Sequence, residues 1–370
     1  MINTDILFSG YYGMQNTGDD AFIEVASWGA KKYWQKDSCR FLALQRQLPK
    51  TIVPSKGYPL TFPKSYRFQQ RLLLKSTNCL ISAGGSTLHS EMKADNIKLL
   101  ATEIKKTSNL KVGAIGISIG PFRSVNDEVA VKKYLKEIDF LAVRDHKSFE
   151  FAASLDLPYE PVNAFDLAAL LPEIYQPLQK DNDPLGQKVV GISICPVEST
   201  QRGGDMKNEV RRNTQIVELI KSIDQSADVL FRFFIINGNP RNGDLALTHQ
   251  IIAGSSPKNF QVIEYQKETK IMWEHIGSCD FVLATRLHAA IFACFAEVPF
   301  LLVEYHRKCT DFLNDVGFNS EAMIGDADYE IKPTTDLIVD WITYAENYPA
   351  PTLIGEMRKK AFLNFSEIKI

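Results

Sequence analysis

The stretch SCDFVLATRLHAAIFACFAEVPFLLVEYHRK, residues 278–308, decides the fold. Phe281-Val282-Leu283-Ala284 reads as a buried strand running into Thr285, and an apolar helix follows. A second apolar strand starts near Phe300. Glu297 and Pro299 argue against a membrane span, so the run is predicted as a buried helix followed by a buried strand. Strands alternating with helices in this way imply a mainly parallel sheet with helices on both faces.

The same stretch carries charge at the strand ends. Thr285 is the predicted N-cap, which puts Arg286 and His288 in the first turn. Cations there oppose the macrodipole and become favourable when an anion binds, served at once by the N–H groups, the dipole and the side chains. The dipole also lowers the histidine pKa, a setting suited to proton transfer near neutrality. "VEYHRKC" then delivers His306, Arg307 and Lys308 toward the same ends. Solvated side chains and an ordinary basic loop are the structural alternatives. Taken together, these residues suit a small, highly charged anion.

Outward from this stretch the alternation holds. Towards the N-terminus stand DILFSG, a helix from about Asp19 to Trp34, CRFLAL, NCLISAGG, a helix from about Leu88 to Lys106, and LKVGAIGISIG. Helices over Asp127–Ile138 and Ser148–Ser154 flank FLAVRD, and PVNAFDLAALL follows. The proline-bearing passage 172–188 is the expected linker. After it come KVVGISICP, a helix around Asn208–Gln225, VLFRFFIIN and a helix around Asp244–Ile252. The expected architecture is α/β, with two doubly wound Rossmann-like lobes and a cleft between them. The expected divisions are 1–175, 186–332, and a helical segment 333–370 that packs back across the molecule.

In "DILFSGYYGMQNTGDDAF", residues 5–22, a strand meets a loop with two tyrosines and two carboxylates. Thr17 reads as the N-cap and Asp20 as its capping-box partner, with Asp19 complementing the dipole. Carboxylates repel a phosphate, so Tyr11, Tyr12, Asn16, Asp19 and Asp20 suit a neutral, hydroxyl-rich ligand such as a sugar. Gly84-Gly85 in "ISAGGSTLHSE" reads as a turn into a helix or as a close ligand approach. Arg144-Asp145, with Ser148 as cap, reads as a brace or as a binding residue. Asp166 is similarly placed near a strand end.

At 370 residues and 45% hydrophobic content the chain can bury large cores, and two domains are expected. With a net charge of −2 and no long single-sign block apparent, no nucleic-acid or anionic-membrane surface built from bulk basicity is expected. The six cysteines lie far apart, fit neither a zinc site nor a disulfide framework, and are expected as buried thiols. The N-terminal residues lack a signal-peptide layout, so a soluble, cytoplasmic protein is expected.

"GYYGMQNTGDDAF", "ISAGGS", "AVRDHKS" and "ATRLHAAIFA", in this order and followed by "EYHRK", resemble the polysaccharide pyruvyl transferase family over about residues 5–318. The resemblance implies a fold like the two-lobed GT-B glycosyltransferases. It implies transfer of pyruvate from phosphoenolpyruvate onto two hydroxyls of a sugar, forming a cyclic ketal, in exopolysaccharide or cell-surface glycan biosynthesis. The family's Arg and His carry over to Arg286 and His288, and its later lysine to Lys308. His288 is the candidate acid, Arg286 and Lys308 hold phosphate or carboxylate, and Asp19 or Asp20 orient or deprotonate the hydroxyls. Arg144, Tyr11, Tyr12, Asn16, Gly84 and Gly85 complete the candidate binding set. Members often carry an arginine where this chain has Cys195-Pro196; either Arg202 compensates or the donor site differs. No redox cofactor and no metal are expected. The acceptor is a sugar, an oligosaccharide or a lipid-linked glycan, the last placing the protein at the inner membrane face without a transmembrane segment. A glycosyltransferase using a nucleotide sugar and a catalytically silent glycan-binding relative are the rival readings.

Overall fold

The computed structural model describes residues 4–62, 64–175, 186–200, 206–319, 323–326 and 328–370. They form two units. The first comprises Met1–Met14, Asp19–Ile174 and Gly355–Ile370, and the second Gln15–Gly18 and Tyr175–Ile354.

The first unit contains β1 (Thr4–Ser9), α1 (Thr17–Trp34, whose first two residues belong to the second unit), β2 (Cys39–Phe41), α2 (Tyr66–Lys75), β3 (Thr77–Leu88) and α3 (Ile97–Lys105). It continues with β4 (Lys111–Ile119), α4 (Val125–Glu137), β5 (Phe140–Val143), α5 (His146–Ala153), β6 (Val162–Asn163) and α6 (Leu171–Ile174). All its strands are parallel, in the order β2-β1-β3-β4-β5-β6. The chain builds outward from β1 to β2, then reverses across to β3, so the switch point lies between β1 and β3. There Ser9 and Ser82 share a hydroxyl hydrogen bond of 3.0 Å. Leu7, Leu80, Val112 and Leu141 have essentially no exposed surface, because helices cover the sheet they belong to.

The second unit contains β7 (Lys188–Ser193), α7 (Met206–Ser226), β8 (Val229–Phe234), α8 (Leu245–Ser255), β9 (Phe260–Ile263) and α9 (Thr269–Gly277). It continues with β10 (Phe281–Ala284), α10 (Leu287–Phe295), β11 (Phe300–Glu304), α11 (Arg307–Asp315), β12 (Ile324–Gly325) and α12 (Ile331–Thr343). Its parallel order is β12-β11-β10-β7-β8-β9, with the switch point between β7 and β10. The deciding stretch is therefore β10–α10–β11, and every residue from Ala289 to Phe295 is buried. All six cysteines are free and buried.

Several local expectations are corrected. Gly84 and Gly85 make no turn into a helix. Both lie inside β3 with φ of +75° and +80°, the register against β4 shifts between Gly85 and Leu88, and the next helix starts only at Ile97. Glycine alone enters that region at no cost, so the strand kinks and goes on. Ser148 is not the cap of α5. Asp145 is, accepting the Ser148 N–H at 2.8 Å, while the Ser148 hydroxyl accepts from Ile119 N–H. The expected segment 333–370 is divided: α12 belongs to the second unit, and α13 (Ile354–Ser366) returns the chain to the first. There Trp34 Nε1 donates to the Phe365 and Ile368 carbonyls at 3.1 and 2.9 Å. Of the linker 172–188, residues 176–185 lie outside the described residues; its start is helical in α6 and its end opens β7.

Candidate active site

At the switch point of the second sheet, the carbonyl of Ser193 at the end of β7 accepts from both Thr285 N–H and Thr285 Oγ1, at 2.9 and 3.0 Å. Thr285 is thereby used up bracing β10 to β7 and is not the N-cap of α10. That position falls to Arg286, whose cationic side chain has no acceptor to offer the N–H groups of the helix. His288 follows in the first turn.

The Arg286 guanidinium engages Asp244, the residue that opens α8. Nε donates to both carboxylate oxygens, at 3.0 and 3.2 Å, and Nη2 donates to Oδ1. Asp244 has no exposed surface and gives its own helix no side-chain cap. Its other oxygen accepts Asn237 N–H at 2.8 Å. Burial raises the Asp244 carboxyl, against the opposing pull of Arg286. Burial also opposes the Arg286 charge, but Cys195 and Asp244 outweigh it and raise the guanidinium pKa, so Arg286 stays a cation.

Cys195, Tyr305 and Lys308 adjoin this pair. The Cys195 thiol, pushed up by burial, lies 3.9 Å from the Tyr305 hydroxyl. The Tyr305 ring has the Arg212 guanidinium at 5.2 Å and Lys308 Nζ at 5.7 Å from its centroid. Arg212 is fully buried and braced by Glu198 and Asp326, with contacts of 2.5 to 3.1 Å. Lys308 lies in the first turn of α11, which His306 caps by accepting Lys308 N–H on Nδ1 at 3.1 Å.

Only a neutral ring can accept that bond. Burial, then the neighbouring Lys308, lowers the His306 pKa, with Asp311 acting the other way. The unfolded chain thus binds a proton more readily than the folded one. The contribution of the cap is complete above the unfolded value of about 6.5 and is lost as pH falls through the lower folded value. His306→Asn keeps a capping side chain without the titration. Melting temperature followed from pH 8 to pH 5 should therefore fall less steeply in that variant; an unchanged acid-side slope would refute the linkage.

The second unit also takes in Gln15–Gly18. Thr17 N–H donates to the Ile236 carbonyl at 2.9 Å, Gly238 N–H to the Gln15 carbonyl at 2.8 Å, and Asn16 bridges Asn237. Asn16 Oδ1 accepts Gly18 N–H at 3.1 Å, so Asn16 caps α1 where Thr17 and a capping box with Asp20 were expected. A Cβ at Gly18 would fall 2.1 Å from His288 Nδ1, so the glycine and the imidazole are in direct contact. Asn16–Asn237–Asp244–Arg286 forms one connected series from the early motif to the late one.

In the first unit, Tyr12 does not face a ligand. It is 4% exposed, its hydroxyl donates to the Ala83 carbonyl at 2.8 Å, and its ring packs edge-on to Phe41. Burial, then Asp19, raises its pKa well above the ordinary phenol value. Tyr11 is 55% exposed. Asp20 is buried and Asp19 half-buried, with Asp19 Oδ1 3.9 Å from a Cβ built on Gly85. A Cβ on Gly84 would enter the Phe22 ring at 2.3 Å, which makes Gly84 a packing residue. Arg144 pairs with Asp166 at 2.8 Å, not with its neighbour Asp145, and also reaches Ser118 and Ser86 at 2.7 and 3.2 Å. With 8% exposure it ties β3, β4 and β5 together at their carboxyl ends. Arg202 lies outside the described residues.

The family model of polysaccharide pyruvyl transferases matches residues 16–307. The chain belongs to that family. The matched span takes in Arg286 and His288 and ends one residue before Lys308. No curated protein matches the chain in sequence. Among solved structures, UDP-GlcNAc 2-epimerase from Neisseria meningitidis, bound to UDP-GlcNAc, is 13% identical with a TM-score of 0.59 over 99% of this chain and 100% of that one. The S. aureus MnaA–UDP co-structure is 10% identical with a TM-score of 0.62 over 99% of each chain. A glycosyltransferase from Rickettsia africae is 11% identical with a TM-score of 0.53, over 98% of this chain and 94% of that one. At these identities the likeness is one of fold: two Rossmann-like lobes of the GT-B class.

Of the residues singled out from sequence, the second unit gathers Asn16, Arg286, His288 and Lys308. Asp19, Asp20, Gly84, Gly85 and Arg144 belong to the first. Asp244, Tyr305 and Asn237 were missed. Asp244 carried a signal, a lone acid between Gly243 and an apolar helix, but that pattern reads equally as a cap. Among the described residues no cluster of His, Cys, Asp or Glu is placed to hold a metal, and no helix is long and apolar enough to cross a membrane.

Proposed function

We propose that this chain transfers pyruvate from phosphoenolpyruvate to two hydroxyls of a sugar unit, forming a cyclic ketal during exopolysaccharide or cell-surface glycan assembly. The observation that carries the reading is Arg286, a half-buried cation at the N-terminus of α10 beside His288, inside the span the family model matches. Phosphoenolpyruvate brings a phosphate and a carboxylate, and Arg286, Lys308 and the first turn of α10 supply fixed cations and N–H donors for them.

His288 gives a proton to the methylene carbon, leaving C2 electrophilic. One sugar hydroxyl adds to C2 and loses its proton to a base. The C2–O bond to phosphate then breaks, the second hydroxyl closes the ring, and its proton balances the departing phosphate. Asp19 or Asp20, which follow Gly18 directly in the chain, is assigned to orient or deprotonate the hydroxyls. Cys195 stands where members often carry arginine; as a neutral thiol beside Tyr305 it adds no cation of its own.

Thermal unfolding with phosphoenolpyruvate, set against UDP-, GDP- and CMP-sugars, tests the donor. Stabilisation by phosphoenolpyruvate alone is expected; stabilisation by one nucleotide sugar alone would turn the assignment to a glycosyltransferase. His288→Ala should lower kcat by about 10²–10⁴-fold, the usual worth of a positioned acid. Asp19→Asn should weaken acceptor turnover and leave phosphoenolpyruvate binding intact. Loss of that binding in Asp19→Asn sinks its role.

A further inference from the structure

The even spread of charge expected from the sequence fails over one stretch. From Ser38 to Ser90 the chain has eight Lys and Arg and no Asp or Glu, although its net charge is −2. The same stretch holds five of the large exposed apolar side chains: Ile52, Leu60, Phe62, Phe68 and Leu72, between 45% and 67% exposed. Helix α2 brings the two properties onto one face. Leu73 and Leu74 point into the core, Phe68 and Leu72 form an outward i, i+4 stripe, and Arg67, Arg71 and Lys75 run beside it.

The preceding loop is fastened to this helix. Buried Gln69 accepts Leu60 N–H at 3.0 Å and donates to the Leu60 carbonyl and Ser65 hydroxyl at 2.9 Å each. Gln70 donates to the Tyr58 hydroxyl at 2.8 Å, and the Tyr58 and Tyr66 rings lie 5.0 Å apart. Leu60 and Phe62, with exposed Lys64, are thus presented next to Phe68 and Leu72. Exposed apolar residues interleaved with cations, on a firmly held helix and loop, lack the carboxylates that an ordinary solvated face would carry. Asp95, from outside the stretch, pairs with Arg67 at 2.7 Å.

We propose that the α2 face, with Leu60, Phe62, Phe68 and Leu72 framed by Lys64, Arg71 and Lys75, docks on an anionic lipid bilayer. The apolar side chains enter the headgroup–acyl boundary, and the cations meet lipid phosphates. Aliphatic Leu60 and Leu72 fit acyl chains and offer no stacking surface to nucleic-acid bases. The inference does not depend on the reaction assigned above, since none of its residues is among those assigned to that reaction. A peripheral site of this kind would bring the chain to a lipid-borne acceptor.

Sedimentation of the full chain with vesicles tests it, with neither phosphoenolpyruvate nor glycan present. Binding is expected to phosphatidylglycerol–phosphatidylcholine vesicles, weakening with salt, and not to pure phosphatidylcholine. Lys64→Glu/Arg71→Glu and Phe62→Ser/Phe68→Ser should each lower the partition coefficient about tenfold or more, with the melting temperature unchanged because all four side chains are exposed. No binding, or binding that ignores both variants, overturns the proposal. A chain dimer that dissociates on Phe62→Ser/Phe68→Ser, without vesicle binding, overturns it in favour of a second copy. Tight binding to single-stranded nucleic acid with none to vesicles overturns it likewise.

Discussion

Arg286→Gln is expected to cost about 3–5 kcal/mol of stability and to abolish phosphoenolpyruvate binding, because it strands a buried carboxylate while removing the cation proposed to hold the donor. Asp244 has no exposed surface, and water cannot replace the guanidinium that meets both its oxygens. The two effects separate in a second variant. Asp244→Asn with Arg286→Gln removes both charges and keeps a carbonyl oxygen for the Asn237 N–H. The double variant should therefore melt nearer the parent than Arg286→Gln does, since neighbouring changes are not additive, yet bind phosphoenolpyruvate no better. Thermal unfolding and a phosphoenolpyruvate titration on all three proteins decide the matter. A double variant that binds like the parent removes Arg286 from the donor site, and an Arg286→Gln protein that melts like the parent contradicts the buried-pair account.

The same pair shows where sequence reading stops. β10, α10 and β11 were legible because continuous apolar runs have one economical fate in a parallel sheet, burial on both faces. Arg286 and His288 were legible because charge at the mouth of such a run is anomalous without a ligand. Asp244 was not, since an acid opening an apolar helix is the ordinary signature of a cap. Only the fold reveals that this carboxylate turns away from its own helix to meet a guanidinium 42 residues later. Gly84-Gly85 failed for a related reason, because a glycine pair signals positive φ without saying whether the strand ends or kinks there. Tyr12 was read as facing a sugar, but it is held inside the unit, its hydroxyl on the Ala83 carbonyl and its ring edge-on to Phe41.

Tyr305 belongs to a further class, residues whose role depends on what lies beneath them. Its ring is approached both by fully buried Arg212, which is paired with Glu198 and Asp326, and by half-buried Lys308. The Cys195 thiol lies 3.9 Å from its hydroxyl. The positive charge near the end of β7 is thus carried by Arg286 and Lys308 rather than by the strand itself, with Lys308 Nζ 5.7 Å from the Tyr305 ring centroid. The spacing in "VEYHRKC" announces Lys308 but not the other two, because Arg212 comes from α7 and Cys195 from just past the end of β7.

Gly18→Ala should leave the fold and phosphoenolpyruvate binding in place and lower kcat by about 10²-fold or more, as expected when a reacting group is displaced by an ångström. Alanine favours a first helical turn by up to about 1 kcal/mol over glycine, so α1 itself gains. The loss falls on His288 alone. The new methyl would sit 2.1 Å from Nδ1 and 2.3 Å from Cγ. Turning the ring about its own axis cannot move Cγ, so the imidazole must swing out of its rotamer. The three atoms nearest the added carbon all belong to His288, so donor affinity, assigned to Arg286 and Lys308, should survive. Steady-state kinetics on Gly18→Ala, His288→Ala and their combination provide the test. If Gly18 acts only by leaving room for the imidazole, the combination is no slower than His288→Ala alone. Multiplying losses would show that Gly18 serves the reaction by another route, and an unimpaired Gly18→Ala would remove His288 from the chemistry.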